Sequence, residues 1–182
     1  RRKRAECRTE KMTRYRQEYE LPDYDIEIST GAKPRADLFE ETTKLGGQPK
    51  KVSNWIMGET LRLLKEKGEE PEDIRFSPAN LAKLIELTER KEINGSVAKK
   101  IFSVMFEENG EPEAYALRHG LKTVKDEGLL RSTIEGIIAD NPQSAADFRN
   151  GREKAAGFLV GQTMKAMKGK ADPALVNEMV RE

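Results

Sequence analysis

The sequence predicts an all-α protein made of small helical units joined by an acidic linker. Apolar residues recur with helical rather than strand period along nearly the whole chain, and prolines and glycines fall between the periodic segments. Composition agrees. Of 182 residues 36% are charged, well above the roughly 25% of an average soluble protein. Leu, Ile, Val and Phe together supply 38 residues at a net charge of +1, which keeps the chain on the folded side of the disorder boundary but favours several modest cores.

A first helix is expected to end near Tyr19, before Leu21-Pro22, because the residue preceding proline avoids helical dihedrals. Residues 1–20 hold eight Lys/Arg against four Glu, a net +4. Asp25-Ile26-Glu27-Ile28 alternates like a strand, but in isolation. A second helix should open near Pro34, carry Leu38 and Phe39, and stop at Gly46-Gly47; Pro49 opens the next. Residues 52–67 then place Val52, Trp55, Ile56, Leu61 and Leu64 along one apolar stripe, with Trp55 as anchor. Gly68 to Asp73 combines a helix stop, a proline and four carboxylates, so a domain boundary is placed there. It separates residues 1–72 from 73–182.

Beyond the linker, Ser77-Pro78 supplies a cap and a first-turn proline for a helix over 78–91 carrying Leu81, Leu84, Ile85 and Thr88. Val97, Ile101, Phe102, Met105 and Phe106 form the next apolar face, ended by Asn109-Gly110, and a short helix from Pro112 to Arg118 completes a unit of about 73–122. In a second unit, about 123–182, Leu129, Leu130, Ile134, Ile137 and Ile138 line a helix that stops at Asp140-Asn141-Pro142. Asn141 is read as the cap of a short helix over 142–150. A longer helix follows over 152–168, with Phe158, Leu159, Val160 and Met164 facing its core. Asp172-Pro173 caps the last helix.

Several chemistries find no support. One Cys, Cys7, and one His, His119, cannot supply the three or four ligands of a zinc site, and neither has a partner that would make it a nucleophile or a base. No phosphate-cradling glycine loop or dinucleotide fingerprint is present. The paired carboxylates Glu40-Glu41, Glu69-Glu70 and Glu107-Glu108 sit in polar segments where water keeps both ionised. The longest small or apolar run, Ala155 to Gly161, is too short to cross a bilayer, and no secretion signal is evident, so a cytoplasmic protein is expected.

The most informative stretch is Ser144 to Lys170, where Arg149, Arg152, Lys154, Lys165, Lys168 and Lys170 outnumber Asp147 and Glu153, a local +4. Gly157 and Gly161 lie four apart on one helix face, at a cost of about 1 kcal/mol each relative to alanine. Close approach by another backbone would offset that cost, whether from a packed helix or from a ligand. Lysines can neutralise phosphates while glycines admit a sugar–phosphate chain. Lysines also complement the dipole at a helix C-terminus. Lys99-Lys100 adds a second patch, and the 6% aromatic content favours recognition of folded RNA by shape.

Residues 151–178 (GREKAAGFLVGQTMKAMKGKADPALVNE) resemble the C-terminal signature of the B subunits of aspartyl/glutamyl-tRNA amidotransferases, the GatB family. Asn94–Phe102 (NGSVAKKIF) resembles a second motif of the same tail, and Arg14–Asp25 (RYRQEYELPDYD) and Val52–Glu59 (VSNWIMGE) are similar to the helical region before it. Residues 1–11 and Thr60 depart from the pattern. The resemblance implies a partial helical domain followed by a YqeY-like tail that contacts the outer corner of tRNA. It further implies a ligase, an ATP-dependent amidotransferase acting on Glu-tRNA(Gln) or Asp-tRNA(Asn), with tRNA and the A and C subunits as partners. ATP and magnesium would bind a catalytic domain preceding these residues, so no catalytic residue, metal site or cofactor is expected in this chain.

Two functions remain open. In one, Lys99, Lys100, Arg152, Lys154, Lys165, Lys168 and Lys170 contact phosphate, and Gly157, Gly161 and Gln162 allow or make close polar contact with RNA. In the other, the chain is a non-catalytic docking module that holds partner subunits, and its basic residues are solvated surface.

Overall fold

The computed structural model describes residues 7–182, and among these every regular element is helical. The basic residues at positions 1–4 lie outside the described part. Twelve α-helices follow in order: α1 Arg8–Tyr19, α2 Asp23–Ser29, α3 Lys33–Lys44, α4 Pro49–Trp55, α5 Leu61–Lys67, α6 Pro78–Glu89, α7 Gly95–Glu108, α8 Pro112–Arg118, α9 Glu127–Asp140, α10 Pro142–Arg149, α11 Glu153–Ala166 and α12 Pro173–Arg181. By contacts the chain divides into two compact units. The first is the described part of Arg1–Glu86 with Lys99–Tyr115; the second is Leu87–Ala98 with Ala116–Glu182.

In the first unit, the alternating segment at Asp25 is helical. Asp25 and Ser29, one turn apart, both face inward: Asp25 is buried and paired with Lys50, and the Ser29 hydroxyl lies 2.9 Å from that of Ser53. Satisfied polar groups at i and i+4 thus override a two-residue alternation. The stripe expected over 52–67 also shifts. A π-turn, Ile56–Thr60, separates α4 from α5, and its extra residue rotates the following turn so that Leu63 joins Leu64 in the core while Leu61 is half-buried. Thr60 is fully buried, its hydroxyl donating to the Trp55 carbonyl at 2.9 Å. Val52 and Ile56 are fully buried as well, whereas Trp55 is half-buried and lies against Phe102, ring centroids 5.0 Å apart.

Phe102 is completely buried and meets Phe76 at 5.2 Å and Phe106 at 6.4 Å as well. The acidic segment read as a linker belongs to this unit: Gly68 ends α5 in the left-handed conformation, and Arg75 reaches Glu69 at 3.4 Å. A polar cluster closes the other end. Tyr15 donates its hydroxyl to Glu40, and the Arg14 guanidinium binds the same carboxylate at 2.8 Å. Burial pushes the Glu40 carboxyl up, but the hydrogen bonds from Tyr15 and Arg14 outweigh it and hold the group below its ordinary value. Burial, followed by the bond to Glu40, raises the Tyr15 phenol.

In the second unit α9 to α12 enclose a core of Leu130, Ile134, Leu159, Met167, Ala171, Val176, Met179 and Val180. Asp126 caps α9 through the Leu129 amide at 3.0 Å, and Asp172 caps α12 through that of Ala174 at 3.1 Å. Asn141 does not cap α10. Its side chain turns back to donate to the Ile137 carbonyl at 2.8 Å, closing the end of α9 instead. Leu129, expected in the apolar line, is 48% exposed, since the buried edge of α9 runs through Leu130 and Ile134.

Candidate nucleic-acid interface

Helix α11 has two chemically distinct sides. Ala155, Ala156, Leu159 and Thr163 are buried, and the small alanines let the neighbouring helices of the unit pack closely. At 100° per residue, Gly157 and Gly161 point away from that core, with Lys154, Phe158 and Lys165 along one flank; Lys168 lies beyond the end of the helix and is exposed. Gly157 and Gly161 are both exposed, and a Cβ added at either would meet nothing within 4 Å. Among the described residues no packed helix therefore accounts for them. Phe158, read from sequence as a core residue, is 45% exposed; it stands about 100° from Leu159, which takes the core position.

Replacing both glycines with alanine is expected to stabilise the fold by about 1–2 kcal/mol, because the helix gains propensity without a clash. Urea unfolding of the double variant reads this directly.

The charges on this side are uneven in their pairing. Glu153 is engaged by Arg181 at 2.9 Å, and Asp147 by Arg152 at 3.6 Å. Lys154, Lys165 and Lys168 are exposed and make no ion pair among the described residues. Gln162 is half-buried beside the glycine face. From Lys154 to Lys165 the helix rises about 16 Å, so the cations bracket the two glycines rather than forming one cluster.

The end of α11 is held in an unusual backbone. Lys168 has φ 55° and Gly169 φ 72°, two consecutive left-handed residues of which the first is not glycine. Asn94 fixes this loop. Its amide nitrogen donates to the Gly169 carbonyl at 2.6 Å and to that of Ala171 at 3.3 Å, while its oxygen accepts from the Val97 amide and caps α7. The Val124 amide donates to the Lys170 carbonyl at 2.6 Å. In the sequence Asn94 stands only as the first residue of the Asn94–Phe102 segment; its two carbonyl partners lie 75 and 77 positions away, and nothing local signals them.

Lys170 is half-buried, Arg152 is exposed at the start of α11, and both belong with the glycine face to the second unit. Lys99 and Lys100 are exposed on the part of α7 assigned to the first unit. Among the described residues no group of three or more His, Cys, Asp or Glu is placed to hold a metal ion, and no helix is long and apolar enough to cross a membrane.

The sequence pattern of a family described as the GatB domain, GatB_Yqey, matches residues 37–182. The chain is 54% identical over 97% of its length to the B subunit of the aspartyl/glutamyl-tRNA(Asn/Gln) amidotransferase of Lachnoclostridium phytofermentans. It is 53% and 52% identical, each over 99% of its length, to the proteins of the same name from Lachnospira eligens and Agathobacter rectalis. It covers 37–38% of these relatives, so it spans a little over a third of their length.

Proposed function

Because the chain belongs to the GatB domain family, we propose that it is the tRNA-binding and positioning part of the GatB component of an amidotransferase. In this reading residues 1–72 belong to the helical domain and 73–182 to the YqeY-like tail, a division by sequence pattern distinct from the division by contacts. The parent enzyme converts Glu-tRNA(Gln) or Asp-tRNA(Asn) to the amidated form in the cytoplasm with ATP and magnesium, together with A and C subunits. These residues supply no catalytic group; they bind and orient RNA.

One observation carries the reading: α11 and the turn that ends it expose two glycines and three lysines that make no ion pair among the described residues. Helix propensity alone would replace the glycines. Bare backbone between cations suits the close approach of a sugar–phosphate chain, and Lys99, Lys100, Arg152 and Lys170 add exposed or half-buried charge for longer-range attraction. The 45% exposure of Phe158 favours a second reading, in which a partner helix packs on the same small-residue face.

Titration with tRNA at two ionic strengths separates the readings. Replacing Lys165 and Lys168 with alanine is expected to reduce the slope of log K against log salt by up to about 0.9 for each lost phosphate contact. An unchanged slope and affinity would remove RNA from this face and leave the partner helix.

A further inference from the structure

A cleft in the first unit has a charge pattern that α11 does not explain. Arg8, Lys11, Met12 and Tyr15 are spaced i, i+3, i+4, i+7 and share one face of α1. With Thr30, Lys33 and Ala36 they line a cavity of about 250 Å³. Three of these seven residues are cations and none is acidic. The side chains of Arg8 and Lys33 remain 73% and 84% exposed, so a ligand in the cleft competes only with solvent-exposed ion pairs for them.

The arrangement runs against local preference. The first turn of a helix favours acids, yet α3 begins Lys33-Pro34-Arg35, with no acidic residue in its first turn and no side-chain cap at Ala32. Carboxylates nearby offset part of the charge: Glu27 lies 3.9 Å from Arg8 and Asp37 3.3 Å from Lys33, and Glu40 feels Lys11. None of them lines the cleft. Tyr15 and Thr30 already spend their hydroxyl protons on Glu40 and on the Ile26 carbonyl, which leaves the cations as the side-chain donors, above an apolar wall of Met12 and Ala36.

We propose that this cleft binds a phosphoryl group. Its three cations suit a phosphate oxyanion, singly charged in a diester and up to doubly charged in a monoester, and its apolar wall suits the sugar attached to one. The phosphoryl group comes either from an RNA backbone or from a free phosphorylated metabolite. The site is independent of the reading given for α11.

Inorganic phosphate titrated into the full chain, followed by amide chemical shifts, tests it. Shifts are expected to centre on α1 and the start of α3, with sulfate competing. Lys11→Gln combined with Lys33→Gln is expected to weaken phosphate about five-fold, the product of two exposed charge contacts worth roughly two-fold each. Arg8→Gln, remote from the core, is a second variant should Lys11 prove necessary for folding. If tRNA affinity falls in parallel, the source is RNA; if phosphate weakens while tRNA binding is unchanged, it is a free metabolite. Lys165→Ala with Lys168→Ala should leave the phosphate titration of this cleft unaltered, so the two sites fail separately. Equal phosphate affinity in the folded variants and the parent, or shifts scattered over surface lysines, would overturn the proposal.

Discussion

Replacing Phe102 with alanine is expected to lower the unfolding free energy by about 3–5 kcal/mol. The ring has no exposed surface and is surrounded by Trp55, Phe76 and Phe106, with centroids 5.0, 5.2 and 6.4 Å away. Truncation removes its transfer free energy and leaves a cavity that three rigid aromatic neighbours cannot close. Each aromatic pair adds about 0.5–1.5 kcal/mol beyond the area buried. Denaturant titration reads the effect as a fall in midpoint at constant slope. Phe106→Leu, which keeps an apolar side chain of most of the volume in an equally buried place, should cost less.

The Glu40 carboxylate should produce the second large effect, and one that depends on pH. Its folded value lies below the ordinary one because bonds from Tyr15 and Arg14 outweigh its burial. A depressed carboxylate stabilises the fold above the unfolded value, about 4.3, and this contribution disappears as pH falls through the lower folded value. Glu40→Gln is therefore expected to cost about 1.5–3 kcal/mol at pH 7, the range for hydrogen bonds to a charged group. The stability curves of parent and variant should converge under acid. A constant gap between them from pH 7 to pH 3 would mean that shape, not charge, holds the cluster.

Much of the helical order is legible in the sequence because its signals are local. Proline at the first turn opens α6, α10 and α12, glycine follows α5, and the caps Ser77, Asp126 and Asp172 accept from amides two or three positions on. The departures have a common origin in information carried by distant residues. Asp25 is helical and buried because Lys50 is there to pair with it. Leu63 replaces Leu61 in the core because a π-turn before it shifts the register, which periodicity over 52–67 cannot show.

The candidate site was legible as composition but not as geometry. Counting charges finds Lys154, Lys165 and Lys168, and the spacing of Gly157 and Gly161 puts them on one face. Whether that face meets another helix or open space depends on how α9, α10 and α12 are arranged around α11. Phe158 illustrates the difficulty: an apolar side chain next to Leu159 reads as core, yet only the latter is buried. Asn94 is the reverse case, an ordinary turn residue whose long-range bonds hold Gly169 and Ala171 and thereby the backbone beside Lys168 and Lys170.

The central claim is that the solvent face of α11 is kept bare for RNA. Titration of tRNA with the Gly157→Ala, Gly161→Ala double variant, whose fold should be the firmer of the two, tests it most directly. Added methyl groups at a close backbone contact cost on the order of 1–3 kcal/mol, so affinity is predicted to fall about ten-fold. Affinity equal to that of the parent chain would contradict the account.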